Sequence, residues 1–350
     1  MDARDRILSA LRGEPTDAVP WSCYAGLVPV GWVERELRNR GMALIVPVTP
    51  YKREMPDVET ITREAWEGGE LFTYRTLRTP VGEVTEKRRA ESGYGSSWIL
   101  EHMIRRPEDY QVVEYMVRHT RLVPNYEAVT EVEESLGGDG LALAWTTRSP
   151  YQQMYIEMMG LERMVLDRAD GVPGFVSLHQ ALDEMAERIY RLVAQSPATL
   201  LWNPDNLTDL VAGGPAFDPY YVPYYNRVAD IAAAAGKIVV SHFDGRLGSL
   251  VGAIGRSRLP VVEAFTPPPM GNVSVREAKA AWPDKVIWAN FPGSVFLDEP
   301  EGIRRFTVGL LRESMEGGRF ILGITENIPH GVRNQALLAL ADGIADYGNA

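Results

Sequence analysis

The chain has 350 residues, with 36 lysines and arginines against 47 aspartates and glutamates, five histidines and one cysteine, Cys23. A net charge of −11, with no basic block dense enough to neutralise phosphates, argues against nucleic acid as the main partner. A single thiol excludes a disulfide framework and any zinc site built on cysteines alone or in pairs. Hydrophobic residues at 45% support a large core, and the apolar runs are far too short for a membrane helix. The charged, amphipathic opening MDARDRILSALRGEP has no signal-like apolar region. These features predict a cytoplasmic globular protein with neither nucleic acid nor membrane as a partner.

In chain order, residues 19–23 and 43–48 read as strands, with a helix over 31–40 between them. Residues 70–98 alternate Phe, Tyr and Leu, pass a Thr-Pro-Val-Gly turn and return through a charged run, which predicts a β-hairpin excursion. From about residue 140 onward, apolar runs at 141–146, 199–202, 238–241, 261–265, 286–289 and 320–324 alternate with amphipathic helices. Several of these runs are continuous, as in parallel strands buried on both faces. Leu178, Leu182, Met185, Ile189 and Leu192 form one helical stripe. Asp298 before Glu299-Pro300-Glu301 predicts a helix start, with Ile303, Phe306, Leu310 and Leu311 facing inward and Gly317-Gly318 ending it. Eight strands alternating with helices predict a closed (β/α)8 TIM barrel: one domain over 1–350 with a hairpin inserted at about 70–98. A doubly wound open sheet is the alternative, weakened because no Gly-rich phosphate loop follows any strand.

A TIM barrel places its site where the strands end. The polar residues at those ends are Asn203, Asp205 and Asn206, then His242 and Asp244, Glu263, Asn290 and Glu326. One histidine among carboxylates at a common rim suits zinc or another divalent metal, with His242, Asp244, Glu263 and Glu326 as ligands. Each has a plainer reading. His242 can be a hydrogen-bonded rim histidine, Asp244 a helix cap, and Asn203 and Asn290 loop anchors. Trp21, Tyr24, Trp145, Tyr151, Tyr155, Trp202 and Trp288 also fall near strand ends, where they either pack helices onto the barrel or line a pocket for a flat or apolar ligand. Asn203, Tyr24, Trp145, Tyr151 and Asn290 are accordingly the candidate substrate-binding residues.

Several segments resemble the uroporphyrinogen decarboxylase superfamily: RDRILSALRGEPTDAVP at the start, SPYQQMYIEMMG at 149–160, FDPYYVPYYNRVADIAAAAGK at 217–237 with the HFDG after it, and GGRFILGITENIPHGV at 317–332. The resemblance spans nearly the whole chain in order and implies a (β/α)8 barrel. It implies one of two activities: cofactor-free decarboxylation, or methyl transfer to or from the cobalt of a corrinoid protein, commonly with zinc. The decarboxylase branch carries arginines after the first strand, whereas PWSCYAGLVPVGW has none, and a polycarboxylate substrate needs such partners. That branch's catalytic tyrosine falls on Ile156, with Tyr155 adjacent. The methyltransferase branch holds zinc through His-x-Cys and a later Cys. Here His242-Phe243-Asp244 stands at the first, and Glu326, beside Thr325, at the second.

Replacing thiolates by oxygen donors makes such a metal more Lewis acidic. This resembles donor-side enzymes that remove a methyl group from a methyl ether. The resemblance therefore implies a corrinoid-dependent methyltransferase of O-demethylase type, acting on a small methylated substrate, and the aromatic residues near the strand ends suit an aryl methyl ether. His242, Asp205 and Tyr155 are its catalytic candidates. The Asp-x-His-x-x-Gly pattern for cobalt ligation is absent, so the cobalamin would come on a separate corrinoid protein. The alternative is a cofactor-free decarboxylase of a different carboxylic acid, with Asp205 or Tyr155 assisting protonation. The sequence leaves a homodimer open.

Overall fold

A computed structural model describes residues 1–90, 97–213 and 216–349. The chain forms two compact units, one of Met1–Pro50, Asn125–Thr146 and Val193–Ala350, the other of Tyr51–Pro124 and Thr147–Leu192. The single expected hairpin is thus part of a larger second unit, assembled from two separated stretches of chain.

The first unit is a closed barrel of eight parallel strands: β1 (Trp21–Tyr24), β2 (Met42–Val48), β9 (Gly140–Trp145), β10 (Leu200–Asn203), β11 (Ile238–His242), β12 (Val261–Phe265), β13 (Val286–Asn290) and β14 (Phe320–Ile324). β3 to β8 belong to the second unit. Every apolar run expected to be a strand is one, and β1 closes the barrel by pairing with both β2 and β14. Their continuous apolar character follows from burial on both faces: β9 to β14 are buried at nearly every position.

Alternate side chains fill the barrel. Ala43, Ile45, Leu141, Leu143, Leu200, Val240, Val261, Val286, Trp288 and Ile321 form one cluster with Ile7, Ala10 and Leu11 of the helix Ala3–Arg12. That helix begins where the Asp2 side chain accepts the Asp5 N–H at 2.7 Å and stops at Gly13, in the left-handed region at φ 72°. Arg4 donates to the Gly140 carbonyl at 3.0 Å, which sets the helix against the start of β9, the end opposite the expected site. Backbones pass closely there: a Cβ on Gly140 would stand 2.0 Å from the Leu44 carbonyl oxygen. Trp288 is not at the mouth; it lies inside the barrel and donates its indole N–H to Ser22 Oγ at 3.0 Å. Trp21 is also buried, its indole N–H directed at the Arg40 carbonyl, 3.4 Å away.

In the second unit, β3 (Tyr51–Glu54) pairs with β8 (Arg121–Pro124). β4 (Glu59–Glu67), β5 (Glu70–Thr79), β6 (Gly82–Ala90) and β7 (Ser97–Glu101) form a four-stranded antiparallel sheet. The expected hairpin is its β5–β6 pair, turning between Thr79 and Gly82, and residues 91–96 of the expected span lie outside the described residues. β4 escaped the sequence reading because ETITREAWE buries no face and so shows no alternation of apolar with polar residues. The helix Pro173–Val193 buries Leu178, Leu182, Met185 and Ile189, as the stripe predicted. The helix Pro300–Ser314 of the first unit has Pro300 in its opening turn and buries Ile303, Leu310 and Leu311, with Phe306 half-buried. Among the described residues no helix is long and apolar enough to cross a membrane.

Candidate active site

The strand ends of the barrel carry a connected polar group. His242 ends β11 and pairs in register with Glu263 of β12, so both side chains point the same way. Immediately after Glu263 the register shifts, and Ala264 sits in the left-handed region at φ 55°, a β-bulge of the kind that aims side chains at functional sites. Glu263 is fully buried, and a buried carboxylate needs donors. It has three. Tyr24 Oη donates to Oε1 at 2.7 Å, His242 Nδ1 donates to Oε2 at 2.8 Å, and the Trp202 indole N–H donates to Oε2 at 3.3 Å. With Nδ1–H directed at Glu263, the other ring nitrogen of His242 faces Asp244, whose Oδ2 is 3.7 Å from Nε2.

This geometry sets the charges. Burial disfavours a cation on His242, but the Glu263 charge and the proximity of Asp244 outweigh it and raise the His242 pKa to about 10. Burial, with the Glu263 charge, pushes the Tyr24 phenol well up, so it stays a donor. The Glu326 carboxyl is pushed up by burial and by the Asp244 charge, against the opposing effects of the Asn290 side chain and His242. Gly293 makes room for it: a Cβ there would lie 2.9 Å from Glu326 Oε2. Asn290 holds the neighbouring loop by accepting the Thr325 N–H at 3.1 Å and donating to Thr266 Oγ1 at 3.3 Å.

The wall beside this group is aromatic. Trp202 meets Trp145 edge to face at 4.5 Å, Tyr24 at 5.8 Å and His242 at 5.5 Å, and Trp145 is 37% exposed. Trp202 was counted by the sequence reading among the strand-end aromatics but not among the candidate substrate-binding residues. Its signal was its place two strand positions above Leu200, on the same inward row.

Other expected residues make contacts of their own. Asn203 follows the inward Trp202 and therefore faces outward, accepting from Tyr224 Oη at 3.1 Å. Asp205 is fully buried and accepts from Tyr225 Oη at 2.9 Å. Both tyrosines belong to the helix Val222–Ala234, so these bonds tie that helix to the barrel. Tyr151 and Tyr155 belong to the second unit, their rings 6.5 Å apart.

The four expected metal ligands are not assembled as a ligand set. Both Glu263 oxygens accept protein donors, which makes Glu263 the carboxylate behind the histidine ring, not a partner in front of it. Among the described residues, no group of three His, Cys, Asp or Glu side chains is placed to hold a metal ion. Cys23 is fully buried in β1, and burial pushes its thiol up to about 12, which removes it from nucleophilic or ligand chemistry.

No family model matches this chain, and no curated protein matches it. Among solved structures it is similar to a methyltransferase from Methanosarcina mazei, with TM-score 0.62 and 11% identity over 99% of both chains. A broad specificity endoglucanase from an uncultured bacterium matches at TM-score 0.43 and 9% identity, over 91% of this chain and 85% of that one. At such identities the likeness shows the fold alone, a (β/α)8 barrel shared with a methyltransferase.

Proposed function

We propose that this chain is an enzyme, a corrinoid-dependent methyltransferase of O-demethylase type that takes a methyl group from a small methylated substrate, an aryl methyl ether by class, for the cobalt of a separate corrinoid protein. One observation carries the reading: His242, held by buried Glu263, stands edge to face with Trp202, which in turn meets the half-exposed Trp145. In the reaction the methyl–oxygen bond breaks, the carbon passes to the reduced cobalt, and the oxygen keeps the electron pair. An oxygen leaving group needs a proton, and in this reading His242 Nε2–H gives it. Glu263 fixes the ring orientation and balances the cation, as Tyr24 and Trp202 fix Glu263. The indole rings offer a flat apolar face to an aryl group.

A divalent metal such as zinc is a second reading: Asp244 Oδ2 lies 3.7 Å from His242 Nε2, and the Asp244 charge acts on Glu326. His242 Nε2, Asp244 and Glu326 would hold it after drawing together, and it would polarise the ether oxygen. The decarboxylase alternative, with Asp205 or Tyr155 assisting protonation, draws less support, since Asp205 accepts from Tyr225.

The test is turnover of aryl methyl ethers with reduced corrinoid, followed by chromatography of the phenol and by the absorbance of the corrinoid. His242→Ala is expected to lower turnover by about 10²–10⁴-fold with the far-ultraviolet circular dichroism unchanged. Unchanged turnover in that variant, or carbon dioxide release from a carboxylic acid with no demethylation, overturns the reading.

A further inference from the structure

The second unit contains a cavity of about 240 Å³ that has no part in the barrel site. Five methionines line it: Met55, Met103, Met116, Met158 and Met185. The chain has twelve in all, so this wall concentrates a side chain whose unbranched, polarisable thioether adapts to an irregular apolar guest. One wall is the π-helix Met154–Met159, which contributes Met158 and Glu157, and π-helical turns gather at functional sites.

The charged groups at the cavity are unequal. Arg53 and Arg75 line it, and so does Glu157. Glu157 is paired with Arg148 at 3.2 Å. Arg75 shares the buried Glu86 with Arg88, at 2.9 and 2.7 Å. Arg53 has no carboxylate partner among the described residues; its guanidinium lies 5.8 Å from the Tyr51 ring centroid. Two guanidiniums, Arg53 and Arg75, therefore line the cavity against one carboxylate, Glu157, in a chain whose net charge is −11. An adaptable apolar wall with a surplus of guanidinium at its edge matches a small molecule with an apolar body and one carboxylate, which arginine grips through two parallel N–H bonds.

The geometry points to a binding site for a small apolar monocarboxylate in the second unit, with the methionines around its body and Arg53 on its carboxylate. The volume lies just below that of sites for drug-sized ligands, so the guest is a short chain or a single ring. This inference is independent of the methyl-transfer reading.

The test is a titration of full-length protein carrying ¹³C-methyl methionine with octanoate, and separately with octanol, read by NMR. Octanoate is expected to shift the methyl signals of Met55, Met103, Met116, Met158 and Met185 and to leave Met42 and Met315 in place. The surface variant Arg53→Gln is expected to bind octanoate about tenfold more weakly, with octanol affinity unchanged. Met116→Trp fills the cavity and is expected to abolish both. Absence of methyl shifts, shifts spread over methionines outside the cavity, or an octanoate affinity indifferent to Arg53→Gln overturns the inference.

Discussion

Glu263 is the residue on which the barrel site turns. Replacing it by glutamine leaves the His242 cation buried without its countercharge, and losing one partner of a buried ion pair costs about 3–5 kcal/mol. Urea unfolding of Glu263→Gln at neutral pH is expected to show a loss of that order. pH separates the two readings of His242. Its pKa is raised from 6.5 to about 10, so the stability it contributes is full below pH 6.5 and fades as pH climbs toward about 10. Unfolding midpoints of wild type and His242→Gln across that window are expected to converge as pH rises. If His242 acts as an acid, turnover falls over the same range. If it ligates a metal, the ring must be neutral, and turnover rises with pH. His242, Asp244, Glu263, Asn290 and Glu326 were legible from their positions at strand ends. Their division of labour was not, because the sequence does not show that Tyr24, from a strand more than two hundred residues away, donates to Glu263.

At the scale of elements, glycines separate close packing from open surface. Gly140 begins β9 against the Leu44 carbonyl, and an added methyl must move backbone. Gly140→Ala is expected to cost about 3 kcal/mol or more. Gly309 lies within the helix Pro300–Ser314 with nothing near its missing Cβ, so Gly309→Ala is expected to stabilise by about 0.5–1 kcal/mol. Thermal unfolding of the two variants checks the opposite signs. Elements with a buried face were readable: β9 to β14 as apolar runs and Pro173–Val193 as a stripe. β4 was not, because its pairing rests on backbone hydrogen bonds and cross-strand pairs of exposed side chains.

At the scale of the whole molecule, the barrel was visible because each strand announces itself locally. The second unit was not, because its two stretches flank β9 and only the folded chain unites them. Tyr51–Pro124 alone lacks the helix that supplies Leu178, Leu182 and Met185 to its core. That fragment is expected to show no cooperative unfolding transition, whereas the intact chain shows one.

The lone cysteine opens a practical route to labelling each of the two units. Buried, with its thiol pushed up to about 12, Cys23 resists maleimides at neutral pH, so the natural chain is already a blank for thiol labelling. Leu210 of the barrel unit is 79% exposed and Trp98 of the second unit 60% exposed, and Leu210→Cys with Trp98→Cys gives two addressable thiols. Dyes attached there report on each unit separately on single molecules, with the native Cys23 left in place.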